Sequence, residues 1–148
     1  MELIYGTGNN AKIAYMKRAL EGLPFQITGL WDAASIRGLT LPEVEETGNS
    51  PLENARQKAE AYYALFRSPV FSCDSGLYLY NHLTGELLPD EIQPGIHVRG
   101  RGEKRLSDEE LLEHFISLVK EYGPIRARYQ NAICLIFNDA IRQESMEE

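Results

Sequence analysis

Basic residues are in short supply in this chain. Fifteen Lys and Arg stand against twenty-two Asp and Glu in 148 residues, a formal net charge of −7. A general nucleic-acid binder needs a basic stripe to displace counterions from phosphates, so the balance argues against nucleic acid as a partner. A small phosphorylated ligand stays compatible with it if Lys, Arg and backbone N–H groups gather locally, or if a divalent cation bridges acidic groups to phosphate. Long apolar runs are missing too, since none approaches the ~20 residues that span a bilayer, and no membrane association is expected. Met1-Glu2-Leu3-Ile4-Tyr5 begins a strand pattern without the basic region and cleavage site of a signal peptide. Cysteine is limited to Cys73 and Cys134, both in apolar stretches and outside any C-x-x-C pattern, which reads as reduced core thiols in a cytoplasmic protein. The three histidines, His82, His97 and His114, lack H-x-x-x-H or H-E-x-x-H spacing, and His114 falls inside a predicted helix as an exposed or packed residue. Internal repeats, low-complexity segments and a Walker A loop are also absent.

What is present reads as one globular domain over residues 1–148, with 43% apolar and 25% charged residues. Residues 2–6 form a short buried strand. A helix follows from about Asn10, with Ile13, Met16 and Leu20 at helical spacing, and stops at Gly22 before Pro24. Residues 25–31 alternate as a second strand interrupted by Gly29, and residues 32–50 read as a loop. Ser50-Pro51-Leu52-Glu53 is a helix start with Ser at the N-cap, Pro at N1 and Glu closing a capping box; the helix runs to about Phe66. Residues 69–80 make a third strand, and 81–105 a long connection rich in Gly, Pro and charge. Ser107-Asp108-Glu109-Glu110 opens another helix, through Tyr122, with Leu111, Leu112, Phe115, Leu118 and Val119 on its apolar face. Residues 125–137 form a long strand that ends at the Asn138-Asp139 turn signal, after which a hairpin partner has barely begun. The β-α-β-α-β-α-β order argues for an α/β sheet with helices on its faces.

Three polar clusters carry the chemistry. Thr7-Gly8-Asn9-Asn10-Ala11-Lys12 fills the first strand-to-helix turn, where a helix N-terminus offers N–H groups and Lys12 a formal charge. Asn9 or Asn10 as a plain helix cap accounts for the same letters. Glu43, Glu45 and Glu46 lead into Asn54 and Lys58, which lie four apart on one helical face, separate from the apolar stripe. A solvated acidic loop is the bland alternative. The third cluster, Asp74-Ser75-Gly76-Leu77, follows the apolar run Pro69-Val70-Phe71 and ends in a Gly that permits a sharp turn; a carboxylate at a strand exit is where open α/β sheets present chemistry, although Asp, Ser and Gly are also ordinary turn formers. Strand alternation sends Cys73 to the side opposite Asp74. Two lysines, two carboxylates, small hydroxyls and Gly turns together fit a Mg²⁺–polyphosphate site better than any nucleophile–base pair.

T-G-N-x-x-K at 7–12, E-E-T-G followed by E-N-A-x-x-K-A at 45–59, D-S-G-L at 74–77, P-G-I at 94–96 and A-R-Y at 127–129 resemble the inosine triphosphate pyrophosphatase family, in order and nearly along the whole chain. The resemblance implies a mixed central sheet flanked by helices, and Mg²⁺-dependent hydrolysis of ITP, dITP and XTP to the monophosphate and pyrophosphate. It also implies roles. Thr7, Asn9 and Lys12 would cradle the triphosphate, and Lys58 would pair with phosphate oxygens. Glu46 would help hold Mg²⁺, Asp74 would orient metal and water as general base, and Ser75 would contact substrate. Arg99 stands near the family's basic residue after P-G. A homodimer is expected by the same likeness. Two features depart from the family. Cys73 replaces the first of two successive Asp found in many members. The family also continues past residue 148 with a Gly- and aromatic-rich loop and a Ser-His-Arg segment that recognise the base, so the C-terminal portion is expected to be missing. Two alternatives stay open: a nucleotide-binding fragment without turnover, and a related pyrophosphatase acting on pyrimidine or other modified nucleotides.

Overall fold

Leu3, Ile4 and Tyr5 are all buried, which places β1 (Glu2–Tyr5) inside the sheet rather than at its edge. The computed structural model describes residues 1–98 and 106–147. Among the described residues four α-helices, α1 (Asn10–Ala19), α2 (Leu30–Arg37), α3 (Pro51–Phe66) and α4 (Asp108–Tyr122), accompany five strands. The remaining strands are β2 (Gln26–Gly29), β3 (Val70–Asn81), β4 (Ile125–Asn138) and β5 (Ile141–Glu147), and the sheet order is β2-β1-β3-β4-β5. The α/β expectation is borne out, with a mixed sheet. The described chain divides into two compact units, Met1–Asp74 with Ala132–Glu147, and Ser75–Asn131.

In the first unit β1 pairs in parallel with β2, Leu3 opposite Ile27, and with β3, Tyr5 opposite Phe71. The period-two pleat then sorts the apolar side chains into two layers. Ile4 and Val70 pack with Leu30, Ala33, Ala34 and Phe66. Leu3, Tyr5 and Phe71 pack with Ile13 and Ile27, and the Tyr5 and Phe71 rings stack with centroids 4.4 Å apart. A third cluster sets Ala55 and Ala59 of α3 against Ala132, Cys134 and Ile136 of β4. Both cysteines are free thiols, Cys134 buried and Cys73 half-buried.

α3 starts where its letters say. The Ser50 hydroxyl accepts the Glu53 amide at 3.2 Å with Pro51 at N1, but the Glu53 carboxylate reaches Asn49 N (2.6 Å) instead of closing the box on Ser50. Residues 25–31 and 32–50 depart from the sequence reading. The strand ends at Gly29, which caps α2, and a two-turn helix occupies the start of the expected loop. α2 buries Leu30, Ala33 and Ala34.

The hairpin partner after Asn138 is fully formed. The Asn138 side-chain oxygen accepts the amides of Ala140 (2.9 Å) and Ile141 (2.8 Å), and β5 runs seven residues, every one exposed. Its apolar Ile141 and Met146 stay exposed, and β5 is tied to α3 by charge. Arg56 grips Glu144 with two hydrogen bonds (2.9 and 2.8 Å), and Arg142 joins Glu144 at 3.0 Å and also pairs with Glu60. The Arg56 hydrogen bonds hold the Glu144 carboxyl below its ordinary value of 4.5, with Arg142 adding to the effect. A carboxyl lowered in the folded state stabilises above its unfolded value and loses that contribution as pH falls through the folded one. Amide exchange along β5 is therefore expected to accelerate relative to β1 between about pH 5 and pH 3, and Glu144→Gln should exchange fast already at neutral pH.

The second unit centres on Leu79, Leu88 and Leu118, with Ile92, Phe115, Tyr122 and Ile125 packed around them. α4 opens with a complete capping box between Ser107 and Glu110. Of its expected apolar face only Leu118 is buried and Leu111 and Phe115 half-buried, while Leu112 and Val119 are exposed; His114 is exposed as expected. The expected connection 81–105 carries a bridge between Tyr80 and Leu87 and a 3₁₀ turn, Asp90–Ile92. The Gln93 side chain binds Leu79 N (2.8 Å), Leu79 O (2.9 Å) and Leu88 O (2.8 Å).

Candidate active site

β1 ends at Tyr5 while its parallel neighbour β3 continues, so the chain leaving β1 turns away beside residues 71–74. The crossing is tight. The Gly6 amide donates to Phe71 O at 2.7 Å, and a Cβ on Gly6 would lie 1.9 Å from the Ser72 hydroxyl oxygen, so only Gly fits. From there Thr7 Oγ1 accepts the Asn9 amide (3.2 Å), and Asn9 Oδ1 accepts the amides of Ala11 (2.9 Å) and Lys12 (3.2 Å). Asn9 is thus the N-cap of α1. Its oxygen is engaged, and among the described residues its amide nitrogen donates to no other group. Lys12 is exposed on the first turn. Its charge is felt at the Cys73 thiol, which burial pushes up and which a hydrogen bond with Tyr5, then Lys12 and Lys58, pull back. The Gly6 contacts with Phe71 and Ser72 set the first cluster beside the strand that carries the third.

Asp74 lies within β3, not at its exit. Gly76 makes no turn and the strand continues to Asn81, because the segment beyond Asp74 finds new backbone partners in the second unit. β1 pairs with β3 only as far as Phe71 and gives no strand neighbour to Asp74. Its carboxylate accepts Lys58 Nζ on Oδ1 (3.3 Å) and Asn54 Nδ2 on Oδ2 (3.1 Å), both from α3. Lys58 Nζ also donates to Glu46 Oε2 at 3.1 Å. The Lys58 and Asp74 side chains are only 13% and 15% exposed, against 45% for Glu46. Asn54 is 2% exposed, so the 54/58 face, although separate from the apolar stripe, is buried at Asn54. Of the acidic loop, Glu43 and Glu45 are exposed and only Glu46 reaches the lysine. Alternation holds at the neighbouring position: Cys73 packs with the Tyr5–Phe71 layer.

The loop carrying Glu46 is anchored to α3 by residues whose part the sequence did not disclose. Gln57 accepts the Thr47 amide (3.1 Å) and donates to the Thr47 hydroxyl (3.1 Å), and Asn54 Oδ1 accepts the Gly48 amide (2.8 Å). Gln57 and Lys58 follow Asn54 by three and four positions, the helical spacing that signals a shared face. Tyr62, a turn further on, has its hydroxyl pushed up by burial and by the Glu46 charge.

In the second unit the Ser75 hydroxyl donates to Asn131 Oδ1 at 2.9 Å. The D-S-G-L and P-G-I motifs meet there as well: Leu77 and Gly95 exchange backbone hydrogen bonds of 2.8 and 2.9 Å, with Gly95 at a φ of 52°. Arg99 lies outside the described residues.

Glu46 and Asp74 offer oxygen ligands only. Among the described residues no group of three or more His, Cys, Asp or Glu converges as a metal cage. Such a sparse, hard donor set fits Mg²⁺, which takes one or two carboxylates and completes its shell with waters and substrate phosphates. It does not fit a tightly held structural metal.

The Ham1 family model matches residues 3–147. The chain is 30% identical over 138 residues to a dITP/XTP pyrophosphatase of Deinococcus deserti, covering 93% of this chain and 58% of that protein. It is 33% identical over 140 residues to a dITP/XTP pyrophosphatase of Symbiobacterium thermophilum, covering 90% and 60%. The Ham1 protein of Staphylococcus aureus superposes with a TM-score of 0.71 at 25% identity, over 99% of this chain and 68% of that one. The chain thus spans roughly 60% of the length of these curated relatives.

Proposed function

The chain belongs to the Ham1 family, and from that premise we propose that it acts in the Mg²⁺-dependent hydrolysis of deaminated purine nucleoside triphosphates (ITP, dITP and XTP) to the monophosphate and pyrophosphate. The observation that carries the reading is the convergence of Lys58, Glu46 and Asp74, with the turn after β1 packed against the same strand at Gly6. The names borne by the relatives support the substrate class. In this reading the α1 N-terminus and Lys12 bind the triphosphate oxygens, and Lys58 supplies a second cation from α3. Asp74 accepts a proton from water as that oxygen bonds to the α-phosphorus; the bond from the α-phosphorus to the bridging oxygen breaks, and pyrophosphate departs. Mg²⁺ held by Glu46 and Asp74 would neutralise charge on the phosphoryl oxygens. Thr7 and Ser75 serve as hydroxyl donors and Arg99 as a further phosphate contact. A cytoplasmic homodimer completes the proposal, by likeness to the family.

The test is pyrophosphate release with Mg²⁺ from ITP, dITP and XTP against ATP and GTP. In a chain that carries the family's base-recognising segment, release is expected to be at least about tenfold faster from the deaminated set, a discrimination available to a site that hydrogen-bonds the base. Equal rates on all five would overturn the substrate assignment. ITP that raises the melting temperature without being hydrolysed would favour a binding fragment, a reading that the partial span of the relatives makes specific.

A further inference from the structure

The geometry points to Asn54 as a positioning residue that ties the Glu46-bearing loop to Asp74 and fixes the plane of that carboxylate. The kinetic part of this inference rests on the pyrophosphatase reading, whereas its structural part stands apart from it. Asn54 is nearly sealed from solvent and both ends of its amide are in use, the oxygen on Gly48 N (2.8 Å) and the nitrogen on Asp74 Oδ2 (3.1 Å). Lys58 binds the other Asp74 oxygen from the next turn of the same helix. Two donors spaced four residues apart on one rigid helix define the line between the two carboxylate oxygens, which a single donor does not. The loop side is equally specific. A Cβ on Gly48 would fall 2.6 Å from Asn54 Oδ1 and 2.6 Å from the Glu53 Cβ, so the loop approaches α3 as closely as it does only because residue 48 is Gly. Asn is the side chain of this length with an acceptor at one corner and a donor at the other. Asp would keep the acceptor for Gly48 and set a second carboxylate against Asp74; Leu would fill the space and keep neither.

These two substitutions separate positioning from packing. Amide exchange at Gly48, melting temperature, and kcat and KM for ITP are measured for wild type, Asn54→Asp and Asn54→Leu. For Asn54→Asp, Gly48 is expected to stay protected while kcat falls at least about tenfold and KM moves less than about threefold, the signature of a misplaced catalytic group rather than lost binding. For Asn54→Leu, Gly48 exchange should rise at least about tenfold as well. Unchanged kcat in Asn54→Asp, or a loss carried by KM alone, overturns the positioning role. If wild type hydrolyses none of the five triphosphates, the functional reading fails, and the Gly48 exchange then decides the coupling: equal protection in wild type and Asn54→Leu overturns it.

Discussion

Asp74→Asn is expected to lower pyrophosphate release from ITP by about 10²–10⁴-fold, the span a general base supplies, with ITP still raising the melting temperature. The substitution removes the proton acceptor and leaves the shape. It also creates a local conflict, because Asp74 accepts from two donors, Lys58 Nζ and Asn54 Nδ2. An Asn in its place has one acceptor oxygen. Turned toward Lys58, that oxygen leaves its own NH₂ facing the Asn54 NH₂, and turning Asn54 to match would break the Gly48 bond. One buried polar group therefore loses its partner, at a cost of about 1–3 kcal/mol. Lower melting temperature, retained binding and lost turnover should appear together. Activity within about threefold of wild type would remove Asp74 from the base role, since proton transfer by a placed carboxylate is worth far more than that.

The letters around this site were legible to different depths, and the reason is geometric in each case. α3 could be read from Ser50-Pro51-x-Glu53 because capping is a local matter of side chain and amide, and its register put Asn54 and Lys58 on one face. α2 could not. Its buried face is Leu30, Ala33 and Ala34, two of them too small to signal, while the large apolar Trp31 and Ile36 point outward at 64% and 76% exposure and invert the pattern. The formed β5 escaped for a related reason, being held by Arg56, Glu144, Arg142 and Glu60 rather than by alternating burial. Within the site, the pairings of Lys58 with Glu46 and Asp74 span 12 and 16 residues, and no spacing rule reaches that far. They depend on α3 lying beside β3, which is a property of the fold. The turn that Gly76 permits is not made, because tertiary pairing holds the backbone extended: Leu77 bonds to Gly95, and the strand runs on as the reading of 69–80 expects.

Lys58→Met should change metal and nucleotide affinity in opposite directions. Without a nucleotide, the Lys58 ammonium stands between Glu46 Oε2 (3.1 Å) and Asp74 Oδ1 (3.3 Å), in the place where a cation would satisfy both. A divalent ion entering alone must compete with this built-in charge, and two carboxylates with no third His, Cys, Asp or Glu beside them among the described residues give it little advantage. A metal–triphosphate complex changes the balance, because its phosphate oxygens offer Lys58 a new partner as the carboxylates pass to the metal. Met keeps most of the length and the apolar stem of the side chain and removes the charge, leaving Glu46 and Asp74 facing one another uncompensated. Mn²⁺ binding without nucleotide, followed by electron paramagnetic resonance, should therefore tighten by about tenfold, as expected when roughly 1.4 kcal/mol of competing interaction is removed. ITP binding should weaken by about 10–100-fold, the worth of one charge-assisted bond to phosphate at about 1.5–3 kcal/mol. Weaker Mn²⁺ binding in the variant would show that Lys58 organises the carboxylates rather than occupying their place. Unchanged ITP affinity would take it out of the phosphate site, leaving Lys12 and the α1 N-terminus to hold the triphosphate without it.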